Sequence, residues 1–208
     1  MDKGIEQLFR NWERRNISGF YVSTGLEASE KLLGLIPLSA SVGISGSQTL
    51  DEIGIVKRLE ARGNKVFNQY KAGLSRQDSL ELRQQGAAAD YYLTSANAVS
   101  LKGELVFFSA NGHRIAGIAN ARNVIVVAGK NKISPELEEA MKRSREYATP
   151  LNCKRLNWQS ACAKDGICRK EVCLLPENKR MCCQVLIIEA EVSPDRLKVI
   201  LVGENLGF

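Results

Sequence analysis

Apolar positions change period repeatedly along this chain, and the changes mark its elements. From Asp2 to Asn16, Ile5, Leu8, Phe9 and Trp12 recur three and four residues apart, which places them on one helical face. Gly19 is expected to end that helix, with Phe20–Val22 a short strand. A second helix is expected over Leu26–Leu33, stopped by Gly34 and Pro37. Ser41–Ile44 then reads as a strand, Leu50–Ala61 as a helix, Lys65–Phe67 as a strand, Gln77–Ala88 as a helix and Asp90–Thr94 as a strand. Such alternation predicts a parallel sheet with helical crossovers.

The pattern then shifts. Ala98–Ser100 and Leu105–Phe108 flank Leu101-Lys102-Gly103 as a β-hairpin would, and Ser109–Arg114 reads as a loop. Asn123–Ala128 contains Val-Ile-Val-Val-Ala, a strand buried on both faces. Pro135–Tyr147 suits a helix with Ser134 as N-cap and Pro135 in the first position. Residues 153–183 show no period, and Val185–Ile188 and Leu197–Val202 read as late strands. The expectation is one α/β domain spanning 1–208, Rossmann-like and three-layered. It has a mostly parallel sheet, a β-hairpin insertion and an irregular Cys-rich segment towards the C-terminus.

Charge sharpens this picture. Lys142–Arg180 holds ten basic and four acidic residues, an excess equal to the net charge of +6 for the whole chain. Nucleic acid is not the expected partner, because aromatics make up only 6% of residues and no recognisable nucleic-acid module appears. No apolar run approaches the ~20 residues of a membrane span. The N-terminal Met-Asp-Lys-Gly-Ile-Glu-Gln lacks a signal core. A cytoplasmic protein is therefore expected, without membrane contact. A single histidine, His113, excludes a multi-histidine metal site.

Candidate chemistry falls where predicted strands end. Gly43-Ile44-Ser45-Gly46-Ser47-Gln48-Thr49 leads from a strand into a helix, an arrangement whose backbone N–H groups and hydroxyls suit a small anion. It has neither a Walker Gly-Lys-Ser/Thr nor a G-x-G-x-x-G spacing; an ordinary turn with Thr49 as N-cap is the alternative. Ligand contacts are expected from Gly43, Gly46, Ser47, Thr49, Asn97, Arg114 and Asn131. Glu52 and Lys132 are the candidate catalysts. Lys130 and Lys132 either point cations at this pocket or form a solvated turn. All six cysteines lie between Cys153 and Cys183. Of these, Cys162, Cys168, Cys173 and Cys182 are the candidate metal ligands, the competing reading being buried free thiols.

Together, GISGSQTLDEIGI, ADYYLTSANAVSLKGELV, NGHRIAGI, VIVVAGKNKI, TPLNCKRLN and LKVILVGENLGF resemble the LUD-domain family, in its lactate utilisation protein C-like form. The resemblance runs nearly end to end. Two departures stand out. The family usually has Gly-Asn-Arg at Gly112-His113-Arg114, and a tighter C-x5-C-x2-C-x6-C spacing than the one found here. More distantly, the fold it implies is that of the ribose-phosphate isomerase and CoA-transferase group, where a Gly/Ser/Thr loop holds a phosphate or related group. The resemblance also implies a part in oxidising lactate to pyruvate, with iron–sulfur partner subunits. An iron–sulfur cluster is the expected cofactor and zinc the second choice. Two alternatives stay open. One is a stand-alone enzyme on a phosphorylated or CoA-linked small molecule, with Glu52 or Lys132 as catalyst. The other is a regulatory module that binds ligand without turnover.

Overall fold

A near-continuous apolar strand needs cover on both faces, and β7 (Asn123–Gly129) and β10 (Leu197–Val202), polar only at Asn123 and Lys198, have it. The computed structural model of the chain describes residues 2–208. Its main sheet is six-stranded and wholly parallel, in the order β1-β10-β7-β4-β2-β3. The remaining strands are β1 (Ile17–Val22), β2 (Ser41–Ile44), β3 (Lys65–Phe67) and β4 (Tyr91–Thr94). Helices α1 (Lys3–Glu13), α2 (Gly25–Leu35), α3 (Gln48–Glu52), α4 (Ile55–Arg62), α5 (Arg76–Ala87) and α6 (His113–Asn120) cover the two faces. Val124, Val126, Leu197 and Val199 pack beneath Leu8 and Trp12 of α1 and Ile118 of α6. Ile125, Val127 and Ile200 face the other way, onto Leu32 of α2, Leu50 of α3 and Leu59 of α4. The three-layer α/β expectation holds.

The hairpin forms where expected, from β5 (Ala98–Ser100) and β6 (Leu105–Ser109). It belongs to a second sheet, β8-β5-β6-β9, completed by β8 (Ile133–Ser134) and β9 (Gln184–Ile188). Ser134 therefore pairs with Ser100 and caps no helix. Glu136 is the N-cap of α7 (Leu137–Arg143) instead. A π-helical turn, Ser144–Ala148, joins α7 to α8 (Thr149–Arg155).

Three further expectations are corrected. Gly19 lies inside β1 and ends nothing; a Cβ there would stand 2.8 Å from the Trp12 ring, so its bareness lets α1 lie flat on the strand. The helix expected over Leu50–Ala61 is two helices, broken at Gly54, whose φ of +65° is left-handed. The loop expected at Ser109–Arg114 gives way to α6, with His113 and Arg114 in its first turn. No helix among the described residues is long and apolar enough to cross a membrane.

Candidate functional site

In a parallel sheet, the loops at the carboxyl ends of adjacent strands open onto one crevice, where the strand order reverses. Here the chain passes from β2 outward to β3 and returns to β4 on the other side of β2. The segments following β2, β4 and β7 supply Gly46–Thr49, Ser95–Asn97 and Lys132. With Arg114 from α6, these segments surround a cavity of about 60 Å³. Gly46, Ser47, Thr49, Asn97, Arg114 and Lys132, all expected at one cleft, line it together.

Lys132 is the central group. It is 3% exposed. Its Nζ donates to Ser95 Oγ at 2.6 Å, Thr49 Oγ1 at 2.9 Å and the Ala96 carbonyl at 3.1 Å. All three acceptors are neutral. Burial, and then the nearby Arg143 and Arg114, pull its pKa down to about 7. Arg114 Nη1 donates to Asn97 Oδ1 at 3.0 Å and Nη2 to the Gly46 carbonyl at 3.0 Å. Arg143 donates to the carbonyls of Asn131 and Asn97, at 3.0 Å and 2.7 Å. Among the described residues, none of these three cations forms an ion pair with a carboxylate. Positive charge is thus concentrated here against neutral dipoles alone.

Asn97 organises the rim. Its Oδ1 accepts from Phe108 N and Arg114, both at 3.0 Å. Its Nδ2 has no acceptor among the described residues. Ser47, not Thr49, caps α3, accepting from Leu50 N at 3.2 Å. Thr49 is thereby free to face Lys132. Because α3 is only five residues long, the field in the cavity comes from the side-chain cations.

Other expected site residues lie elsewhere. Gly43 sits within β2 and lines no cavity; a Cβ on it would fall 2.0 Å from the Gly86 carbonyl oxygen of α5, so its work is packing. Glu52 is exposed and accepts from Gly207 N at 2.7 Å. Asn131 accepts from Leu206 N at 3.1 Å and donates to the Gly207 carbonyl at 3.2 Å. Both residues tie down the C-terminal tail, whose Phe208 lines the small cavity. Lys130 is exposed.

Ser95, Arg143, Thr149 and Asn152 join the site without having been expected there. Ser95 carried a signal, a hydroxyl just beyond a buried strand. Arg143, at the end of α7, reaches the rim through its bonds to Asn97 and Asn131. Thr149 and Asn152 follow the π-helical turn, where Thr149 Oγ1 donates to the Ser144 carbonyl at 2.7 Å, five residues back. That turn sets Ala148, Thr149 and Asn152 along the cavity, and such bulges recur at functional sites.

The cysteines are free. Burial raises the Cys168 pKa, and Cys182, Cys162 and Cys173 raise it further, in that order, so all four candidate ligands share one neighbourhood. Burial pushes the Cys153 thiol up to about 12. Among the described residues, no three His, Cys, Asp or Glu side chains stand where they would hold a metal ion. The donor set has the right chemistry for a cluster but not its convergence.

The family profile of the LUD domain matches residues 5–202. The crystal structure of a DUF162 family protein from Deinococcus radiodurans is similar over 96% of this chain and 96% of its own, with a TM-score of 0.54 and 13% identity, a likeness of fold. Ribose 5 phosphate isomerase A from Neisseria gonorrhoeae aligns over 54% of each chain, with a TM-score of 0.36 and 15% identity. No curated protein matches the chain.

Proposed function

The chain belongs to the LUD-domain family, which is associated with lactate utilisation, and from that premise we propose that its small cavity binds a short carboxylate of the lactate–pyruvate kind. One observation carries the reading: Arg114, Lys132 and Arg143 converge without a carboxylate partner among the described residues. Size agrees. At about 10–15 Å³ for each water-sized occupant, 60 Å³ has room for about four to six, the scale of a three-carbon acid. Larger phosphorylated sugars do not fit in this cavity alone.

Arg114 would hold the carboxylate, its fork already oriented by Asn97 and Gly46. Oxidising a hydroxy acid to an oxo acid removes a proton from oxygen and a hydride from carbon. Lys132, charged once the acid is bound, is the group suited to steady the negative charge that develops on that oxygen as its proton departs to solvent. Glu52 is occupied by the tail and has no such part. The hydride needs a two-electron acceptor, from which the electrons pass one at a time to iron–sulfur partner subunits, the terminal acceptors in this proposal. Cys162, Cys168, Cys173 and Cys182 are the donors this chain offers for a cluster of its own, with zinc as the second choice, provided the segment tightens on binding. Iron, sulfide and zinc analysis of protein purified without oxygen tests that part.

Thermal-shift titration tests the ligand. Lactate and pyruvate should raise the Tm, and Arg114→Gln should abolish the rise while leaving the unliganded Tm nearly unchanged. Stabilisation by sugar phosphates but by neither acid would favour the stand-alone enzyme instead.

A further inference from the structure

A second cavity of about 750 Å³ adjoins the small one. The two share Gly46, Phe108, Arg114, Asn152 and Met181. The larger one far exceeds any three-carbon acid and falls within the usual range for organic ligands and cofactors. Its wall combines flat rings with surplus positive charge. Tyr70, Phe108 and Trp158 line it. Of its acidic residues, Glu60 is paired with Lys71 at 3.0 Å and Asp51 feels Arg155. Lys57, Arg83 and Arg114 face it with no ion pair among the described residues.

Two polar nitrogens of residues in this wall, Arg83 Nε and His113 Nδ1, are buried without a hydrogen-bond partner. The Tyr70 hydroxyl accepts from Gln69 Nε2 at 2.8 Å and is hydrogen-bonded to His113 Nε2 at 3.1 Å. Burial, with Arg114 and Arg83, holds the His113 ring neutral. The Arg83 guanidinium is thus a charge with an unfilled donor, near enough to His113 to lower its pKa, and calls for acceptor oxygens.

We propose that the large cavity binds a nucleotide, its ring among Trp158, Tyr70 and Phe108 and its phosphate at Arg83, His113 and Lys57, alongside the small acid. Phosphate oxygens answer the charge surplus of Lys57, Arg83 and Arg114, and a flat base accounts for the aromatic wall. The assignment of the cavity stands on its own geometry. Only the choice of nucleotide rests on the lactate reading. A flavin or nicotinamide nucleotide beside a hydroxy acid would be the two-electron acceptor that reading lacks. An adenine nucleotide without a redox ring would point to the phosphorylated-substrate rival.

The test is calorimetric titration of the full chain with FMN, NAD⁺, ADP and inorganic pyrophosphate, with and without saturating lactate, and with lactate alone in parallel. At least one nucleotide should bind with Kd below about 100 μM. It should quench the emission of Trp158, bind in the presence of lactate, and exceed pyrophosphate by about tenfold or more because stacking is lost. Arg83→Gln, on the outer helix α5, should weaken it about tenfold, and Arg83→Lys less. Absence of any nucleotide binding below about 1 mM, pyrophosphate binding as tightly as every nucleotide, or full affinity in both Arg83→Gln and Trp158→Leu would overturn the proposal. Lactate binding without nucleotide binding sinks this inference alone. Nucleotide binding without lactate binding sinks the acid reading alone.

Discussion

Single residues in this site have their roles set by neighbours distant in the chain. His113 shows it through titration. Its pKa falls from 6.5 to about 4, chiefly by burial and then by Arg114 and Arg83. As pH drops through 6.5, the unfolded chain takes up a proton that the folded chain refuses. Stability therefore falls between about pH 6.5 and 4, and the loss is complete below about 4. It amounts to roughly 3 kcal/mol. His113→Asn, which restores the residue usual in the family, should flatten the urea-unfolding free energy across that window relative to wild type. An unchanged slope would mean the ring titrates freely. Gly46, Ser47, Thr49, Asn97, Arg114 and Lys132 were legible as one group because each lies just past a strand end. The part played by Glu52 was not, since its partner Gly207 lies 155 residues away. Gly43 reads in sequence as a loop glycine, and only α5 reveals why it is bare.

At the scale of elements, strands were easier to read than helices. Ser41–Ile44 and Lys65–Phe67 are apolar enough to declare themselves, and their bounds match. Helix α6 hid behind the polar Ser-Ala-Asn-Gly-His-Arg, because its buried face is short, only Gly117 and Ile118 being fully buried. The break at Gly54 and the π-helical turn have no periodic signature. Contact between elements also yields a stability prediction. The Gly43–Gly86 contact lets α5 touch β2. Gly43→Ala must part them and should cost about 1–3 kcal/mol, read as a lower urea midpoint. Gly46→Ala meets only the half-exposed Tyr70 ring at 2.7 Å, which can swing away, and should cost much less. Equal losses would show that the helix–strand contact is not tight.

For the whole molecule, the parallel sheet brings four strand ends to one crevice, and a second small sheet with the Cys-rich segment closes it from the side. The class of fold followed from the alternation of elements. The second sheet did not, because β8 and β9 are short and pair with strands remote in sequence. In the proposed function, buried cations with no carboxylate partner among the described residues, Lys132 above all, take up the anion. An anion beside Lys132 favours its charged form, so binding above pH 7 must draw a proton onto Nζ. The most direct measurement is calorimetric titration of the chain with pyruvate from pH 5.5 to 9, in buffers of different ionisation enthalpy. Below about pH 6.5, near-constant affinity and little proton uptake are expected. Above about pH 7, uptake should approach one proton, with affinity falling up to tenfold per pH unit. Lys132→Met should remove the pH dependence and weaken binding throughout. Affinity that stays level to pH 9 without proton uptake, or undiminished binding to Lys132→Met, would contradict this role of Lys132.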